Sequence, residues 1–184
     1  MKLIRSVAAA AITLATLTGL VPSGRAASVG PAGYTNHFSS LPPTADWSYL
    51  TVAGAAGDIT TAAALNTAVQ ALTAAGITRQ VVSDNGNPPV AADYVIWSPT
   101  GDYLQTRPTG VKFVALMAKL INNTGADQKS FQIGYTLSQQ AITNEQINGH
   151  LVYFSLTGAA RNRTNVSALS SAVPGNLTAM ISAP

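Results

Sequence analysis

The 184-residue chain contains no cysteine. That removes disulfides, thiol nucleophiles and cysteine-based metal sites together. Charge is scarce as well: Asp, Glu, Lys and Arg make up 9% of the residues, and Glu145 is the sole glutamate. The other acids are Asp46, Asp58, Asp84, Asp93, Asp102 and Asp127, and four of the seven acids, Asp58, Asp84, Asp102 and Glu145, stand beside Gly or Asn. Asp in that setting serves turns and caps, and no two acids alternate on one strand as a carboxylate pair flanking a glycosidic bond would. His37 and His150 are the two histidines, and neither has a partner at metal-ligand spacing. No G-x-S-x-G elbow presents a serine nucleophile. Asp84-Asn85-Gly86-Asn87 offers oxygen ligands but lacks the remaining positions of a calcium loop, so it reads as a plain turn. Gly54 to Asp58 reads as a turn and cap, because the Asp58 charge stands where an anion at a helix start would sit. The sequence therefore predicts no catalytic residue, no cofactor and no metal.

What the chain does carry is an export signal. Lys2 and Arg5 precede an uncharged, mostly apolar run of 14 residues, Val7 to Leu20. Pro22 and Gly24 then break any helix, and Gly24-Arg25-Ala26 fits a small-x-small cleavage pattern with the cut after Ala26. The run is shorter than the roughly 20 residues a membrane span needs. The expectation is a signal-peptide helix over 1–26 and a protein that is secreted, periplasmic or held at the cell surface. It meets the membrane only through that peptide, before cleavage. Removing Lys2, Arg5 and Arg25 takes the formal charge from +3 to zero, since seven Lys/Arg then balance seven Asp/Glu. The pI of about 9.4 thus belongs to the signal, and no cation cluster points to a nucleic acid partner.

Along the remaining chain, 27–35 reads as a flexible leader and 36–184 as a single domain. Trp47 to Ala53, Ile77 to Ser83, Tyr94 to Ser98 and Tyr103 to Thr106 read as short strands. Val111 to Asn122 is apolar on both alternating faces, interrupted by Lys112 and Lys119, which predicts a central strand, with a helix left open by periodicity alone. Phe131, Ile133, Tyr135 and Leu137 alternate with Gln132, Gly134 and Thr136, the pattern of a half-buried strand. Leu151 to Leu156, Asn162 to Leu169 and Leu177 to Ile181 follow as strands, with Gln139 to Gly149 as a polar loop and Arg161-Asn-Arg163 as a solvated tip. Leu65, Val69 and Leu72 lie at helical spacing among alanines, predicting one short α-helix over about 59–75, capped by Asp58 or Thr60 and closed by Gly76. Many short strands and one helix predict a mostly β fold, an antiparallel β-sandwich or jelly roll.

The ordered series Phe38–Trp47 (FSSLPPTADW), Gly54–Gln70 (GAAGDITTAAALNTAVQ), Gly86–Pro89 (GNPP), Tyr103–Gly110 (YLQTRPTG), Leu116–Gly125 (LMAKLINNTG), Tyr135–Ser138 (YTLS) and Val152–Ala159 (VYFSLTGA) resembles a class of uncharacterised exported β-sandwich domains of verrucomicrobial and related environmental bacteria. The similarity covers roughly residues 36 to 181, and its specificity lies in the order of the motifs. The resemblance implies an exported sandwich module with no assigned activity. Members of that class continue beyond the strand at Leu177–Ile181 with a closing strand, whereas this chain stops at Pro184. The expectation is a C-terminally truncated sandwich with an unpaired edge, open to another protein chain.

Function at this stage is an expectation of class: a non-catalytic module with a structural or cell-surface interaction role. The alternative is a carbohydrate-binding module whose exposed aromatics stack on sugar rings. Trp97 and Tyr103, which flank a turn, and Tyr94 beside them are its candidate ligand-stacking residues, with polysaccharide as the partner. Trp47 and Tyr49 are further members of that aromatic group, and the competing expectation is that such rings fill the core.

Overall fold

A computed structural model describes residues 26–90, 92–138, 147 and 149–182. Residues 1–25, which make up nearly all of the expected signal peptide, Glu145 and most of the polar loop 139–149 lie outside the described residues. In chain order the elements are β1 (Ala27–Val29), β2 (Trp47–Val52), α1 (Ala62–Gln70), β3 (Arg79–Gln80), β4 (Val82–Ser83), β5 (Val95–Ser98), β6 (Tyr103–Thr106), β7 (Phe113–Ala118), β8 (Leu120–Asn122), β9 (Ser130–Leu137), β10 (Tyr153–Phe154), β11 (Thr164–Asn165) and β12 (Gly175–Ser182). Among the described residues the fold is mostly β with one α-helix. No helix among the described residues is long and apolar enough to cross a membrane.

The sheets are small: β3-β2-β7, β4-β5-β6, and the pairs β1-β8, β10-β11 and β9-β12. Two segments change partner midway, which links the small sheets. Arg79–Gln80 pairs with β2, the chain passes through wholly buried Val81, and Val82–Ser83 then pairs with β5. Likewise β7 pairs with β2, and after Lys119 the chain pairs as β8 with β1. At that switch Lys119 donates its amide to the Asp46 carbonyl (2.8 Å) and its carbonyl accepts the Ala27 amide (2.9 Å).

Several expectations are corrected here. The sheets are not antiparallel throughout, because β1–β8 and β4–β5 are parallel. The loop between β4 and β5 is long enough to bring the chain back in the same direction, which a tight hairpin cannot do. The segment read as a flexible leader is structured: Ala27–Val29 is a strand, and Gly33 donates to the Gly30 carbonyl (2.9 Å) in a turn. Val111–Asn122 is not a central strand. β7 closes one side of its sheet, and Leu116, Leu120 and Ile121 are exposed. The strand covered on both faces is β5, where Val95, Ile96 and Ser98 are all buried. The helix is shorter than 59–75, since Thr61 and Thr73 both take extended backbone and 3-10 turns flank it. Thr61, not Asp58 or Thr60, caps it by accepting the Ala64 amide at 3.2 Å.

Apolar side chains gather in two clusters. One forms around Tyr49, Val81 and Val95, with Trp47, Tyr94, Trp97, Leu104 and Val114 packed against it. The other forms around Val166, Leu169 and Ile181, with Phe131, Ile133, Tyr135, Phe154, Leu177 and Ala179. The period-2 pattern of β9 faces the second cluster as read from sequence. The join between the halves runs through the end of α1. Arg161 donates its amide to the Gln70 carbonyl (2.7 Å), Ala74 donates to the Gly158 carbonyl (2.7 Å), and the Arg163 guanidinium donates to the Leu72 and Ala159 carbonyls. Arg163 is therefore half-buried and ties the turn after α1 to the 159–163 loop, rather than being part of a solvated tip.

Candidate functional site

Trp97, Tyr103 and Tyr94 are positioned by β5, the residue before it and β6, and none of the three is exposed. Trp97 packs against the first cluster, and its indole N–H donates to the Phe38 carbonyl. Phe38 is held over this region with a left-handed backbone (φ 52°), its amide donated to Asn36 Oδ1 at 2.8 Å. Its ring meets Trp47 edge to face at 5.1 Å, and the Trp47 indole donates to Tyr34 Oη at 3.1 Å. Residues 34–38 thus cover both tryptophans. Tyr103 folds over its own turn: a Cβ on Gly101 would fall 2.1 Å from its ring. Its hydroxyl accepts from Asn87 Nδ2 at 3.4 Å.

Tyr94 belongs to a stack. The Arg79 guanidinium lies 4.5 Å from the Tyr94 ring centre and 4.8 Å from that of Tyr49. It donates to Thr51 Oγ1 (2.6 Å) and pairs with Asp93 at 3.5 Å. Burial raises the Tyr49 phenol pKa above its usual value, partly offset by the Arg79 charge. All twelve aromatic residues of the chain are buried or half-buried.

Asp84 uses both carboxylate oxygens within its loop, accepting the Gly86 amide (2.9 Å) and the Val90 amide (3.2 Å). These bonds hold its pKa below the usual carboxylate range. No group of three or more His, Asp or Glu suited to a metal ion occurs among the described residues. Asp58 caps the turn before α1 by accepting the Ala55 amide (3.2 Å), and it pairs with Lys112 at 3.4 Å. A groove of about 530 Å³ beside α1 is lined by Val52, Ile59, Ala68, Leu72 and Phe113 together with that ion pair. His37 is exposed.

The second cluster holds groupings that sequence reasoning missed. His150 Nε2 and Tyr135 Oη are hydrogen-bonded, and the Tyr135 hydroxyl donates to the Leu169 carbonyl. Burial pushes the Tyr135 phenol up to about 12 and holds the His150 imidazole below its usual value. Nothing local in sequence joins residues 135, 150 and 169.

The other grouping is the β9–β12 ribbon, paired over eight residues from Ser130↔Ser182 to Leu137↔Gly175. One face carries Phe131, Ile133, Tyr135, Leu177, Ala179 and Ile181 onto the core. The opposite face carries Gln132, Gly134, Thr136, Asn176, Thr178 and Met180, all exposed. Among the described residues neither strand has a second neighbour. The alternations in Phe131–Leu137 and Leu177–Ile181 signal two half-buried strands, but not that they pair with each other.

The class this architecture defines is a mostly β domain built from several small sheets. No family model matches the chain, and no curated protein or solved structure matches it.

Proposed function

We propose that this chain is an exported, non-catalytic β-sandwich module that serves a structural or interaction role at the cell surface or outside the cell, acting through the open edges of its β9–β12 ribbon. One observation carries the reading: the longest strand pair of the fold has both outer edges unpaired among the described residues. Unpaired N–H and C=O rows are templates for strand addition. The residues that bear on the alternative support the same reading. A carbohydrate platform needs flat aromatic faces open to solvent, while Trp97 and Tyr94 pack into a core cluster and Tyr103 lies over its own turn. The export reading rests on Lys2, Arg5, the apolar run Val7 to Leu20 and the small residues up to Ala26.

The test starts from the full chain expressed in a bacterium. N-terminal sequencing of the exported product is expected to begin at Ala27. Its tryptophan emission, titrated with a panel of soluble polysaccharides, is expected to stay unchanged. A saturable shift with one glycan, lost in a folded Trp97→Ala variant, would instead establish the carbohydrate-binding alternative. A product retained in the cytoplasm would overturn export.

A further inference from the structure

Open strand edges in natural proteins are guarded by charged side chains, proline, bulges or short length. β9 (SFQIGYTL) and β12 (GNLTAMIS) have none of these guards: no charge, no proline, and eight paired residues without a bulge. Among the described residues no backbone hydrogen bond leaves the outer edge of either strand. The two edges differ in one exposed apolar side chain. Met180 stands on the solvent face of β12, 64% exposed, while the solvent face of β9 carries only Ser130, Gln132, Gly134 and Thr136.

We propose that the outer edge of β12 pairs antiparallel with β12 of a second copy of this chain, about a two-fold axis at Ala179. A two-fold contact is isologous, so the strand must be complementary to itself. Directly opposed residues share a face, and a slip of one residue would set core-facing side chains against solvent-facing ones. Of the registers that keep faces matched, centring on Ala179 sets Leu177 against Ile181 of the second copy on the core-facing side. On the solvent side it sets Thr178 against Met180 and Asn176 against Ser182, which covers the exposed methionine. Centring on Thr178 would leave Ile181 opposite Gly175 and Met180 opposite Asn176. An uncharged edge offers a foreign partner no charge to select it, but it opposes its own copy with no repulsion. The chain beyond Ala26 balances seven cationic against seven acidic residues, so no net charge holds two copies apart.

The inference rests on the reading of the ribbon edge as the interacting surface. The exported chain is measured by size-exclusion chromatography with light scattering over a concentration series, alongside two double variants. Thr178→Lys with Met180→Lys places lysine against lysine twice across the proposed axis. Thr178→Glu with Met180→Lys places two opposite-charge pairs there. Both positions are exposed, and circular dichroism checks that each variant is folded. The expected result is a dimer mass for the native chain, half that mass for the lysine pair, and a restored dimer for the Glu/Lys pair. A native chain that is monomeric at every concentration overturns the self-pairing, as do two variants that behave alike. A monomer would leave the interaction-module reading intact, with a different chain on the edge. A saturable glycan response would overturn the module reading without touching the dimer.

Discussion

His150 and Tyr135 share one hydrogen bond at the rim of the second cluster, and both are shifted toward their neutral forms by burial. A histidine whose folded pKa is depressed contributes stability that is whole above the unfolded value of 6.5 and is lost as pH falls through it. The urea midpoint is therefore expected to be lower at about pH 5 than at about pH 7.5, and His150→Gln to flatten that slope. Tyr135 works at the other end of the scale. Its folded pKa of about 12 exceeds the ordinary 10.0, so its contribution is whole below 10.0 and declines as pH rises toward 12. Tyr135→Phe leaves the Leu169 carbonyl and His150 Nε2 short of a partner, an expected loss of about 1–3 kcal/mol in denaturant unfolding. Gly149 has φ of 80°, and a Cβ there would lie 2.1 Å from the Ser171 carbonyl oxygen. Gly149→Ala is expected to cost at least about 1–2 kcal/mol from the left-handed backbone alone, measured the same way.

At the scale of elements, the turn after α1 is held by a residue far along the chain. Arg163 reaches from the loop after β10 to the Leu72 and Ala159 carbonyls, so Arg163→Ala is expected to lower stability by about 1.5–3 kcal/mol in denaturant unfolding. Lys112→Ala, which breaks only a half-exposed ion pair with Asp58, is expected to cost less than about 1 kcal/mol, and less still in high salt. The existence of α1 was legible because Leu65, Val69 and Leu72 repeat at helical spacing. Its ends were not, because Thr61 and Thr73 take extended backbone that alanine-rich flanks do not announce. β9 was legible because its alternation has one solvent face and one core face. β7 and β8 misled because an apolar run on both alternating faces signals burial, whereas here Leu116, Leu120 and Ile121 face outward on short edge strands. The candidate site was the least legible part. The β9–β12 register joins residues 38 to 52 positions apart, and Trp97, beside a turn in sequence, is covered by a loop some sixty residues earlier.

At the scale of the whole molecule, two apolar clusters and several small sheets are tied together by strands that switch partners at Val81 and Lys119 and by the bonds of Arg161 and Arg163 to the Gln70 and Leu72 carbonyls. Every aromatic ring is drawn at least half into that framework, while β9 and β12 keep unpaired outer edges among the described residues. Trp97 is the residue on which this account and its carbohydrate-binding alternative divide. The most direct measurement is the thermal unfolding of Trp97→Ala beside the native chain. The account predicts a loss of about 2–4 kcal/mol, below the range for a wholly buried tryptophan because the ring is half-buried, and so a melting temperature lower by about 5–15 °C. A variant that melts with the native chain would contradict the account, since Trp97 would then be a ring kept for a ligand rather than for the core.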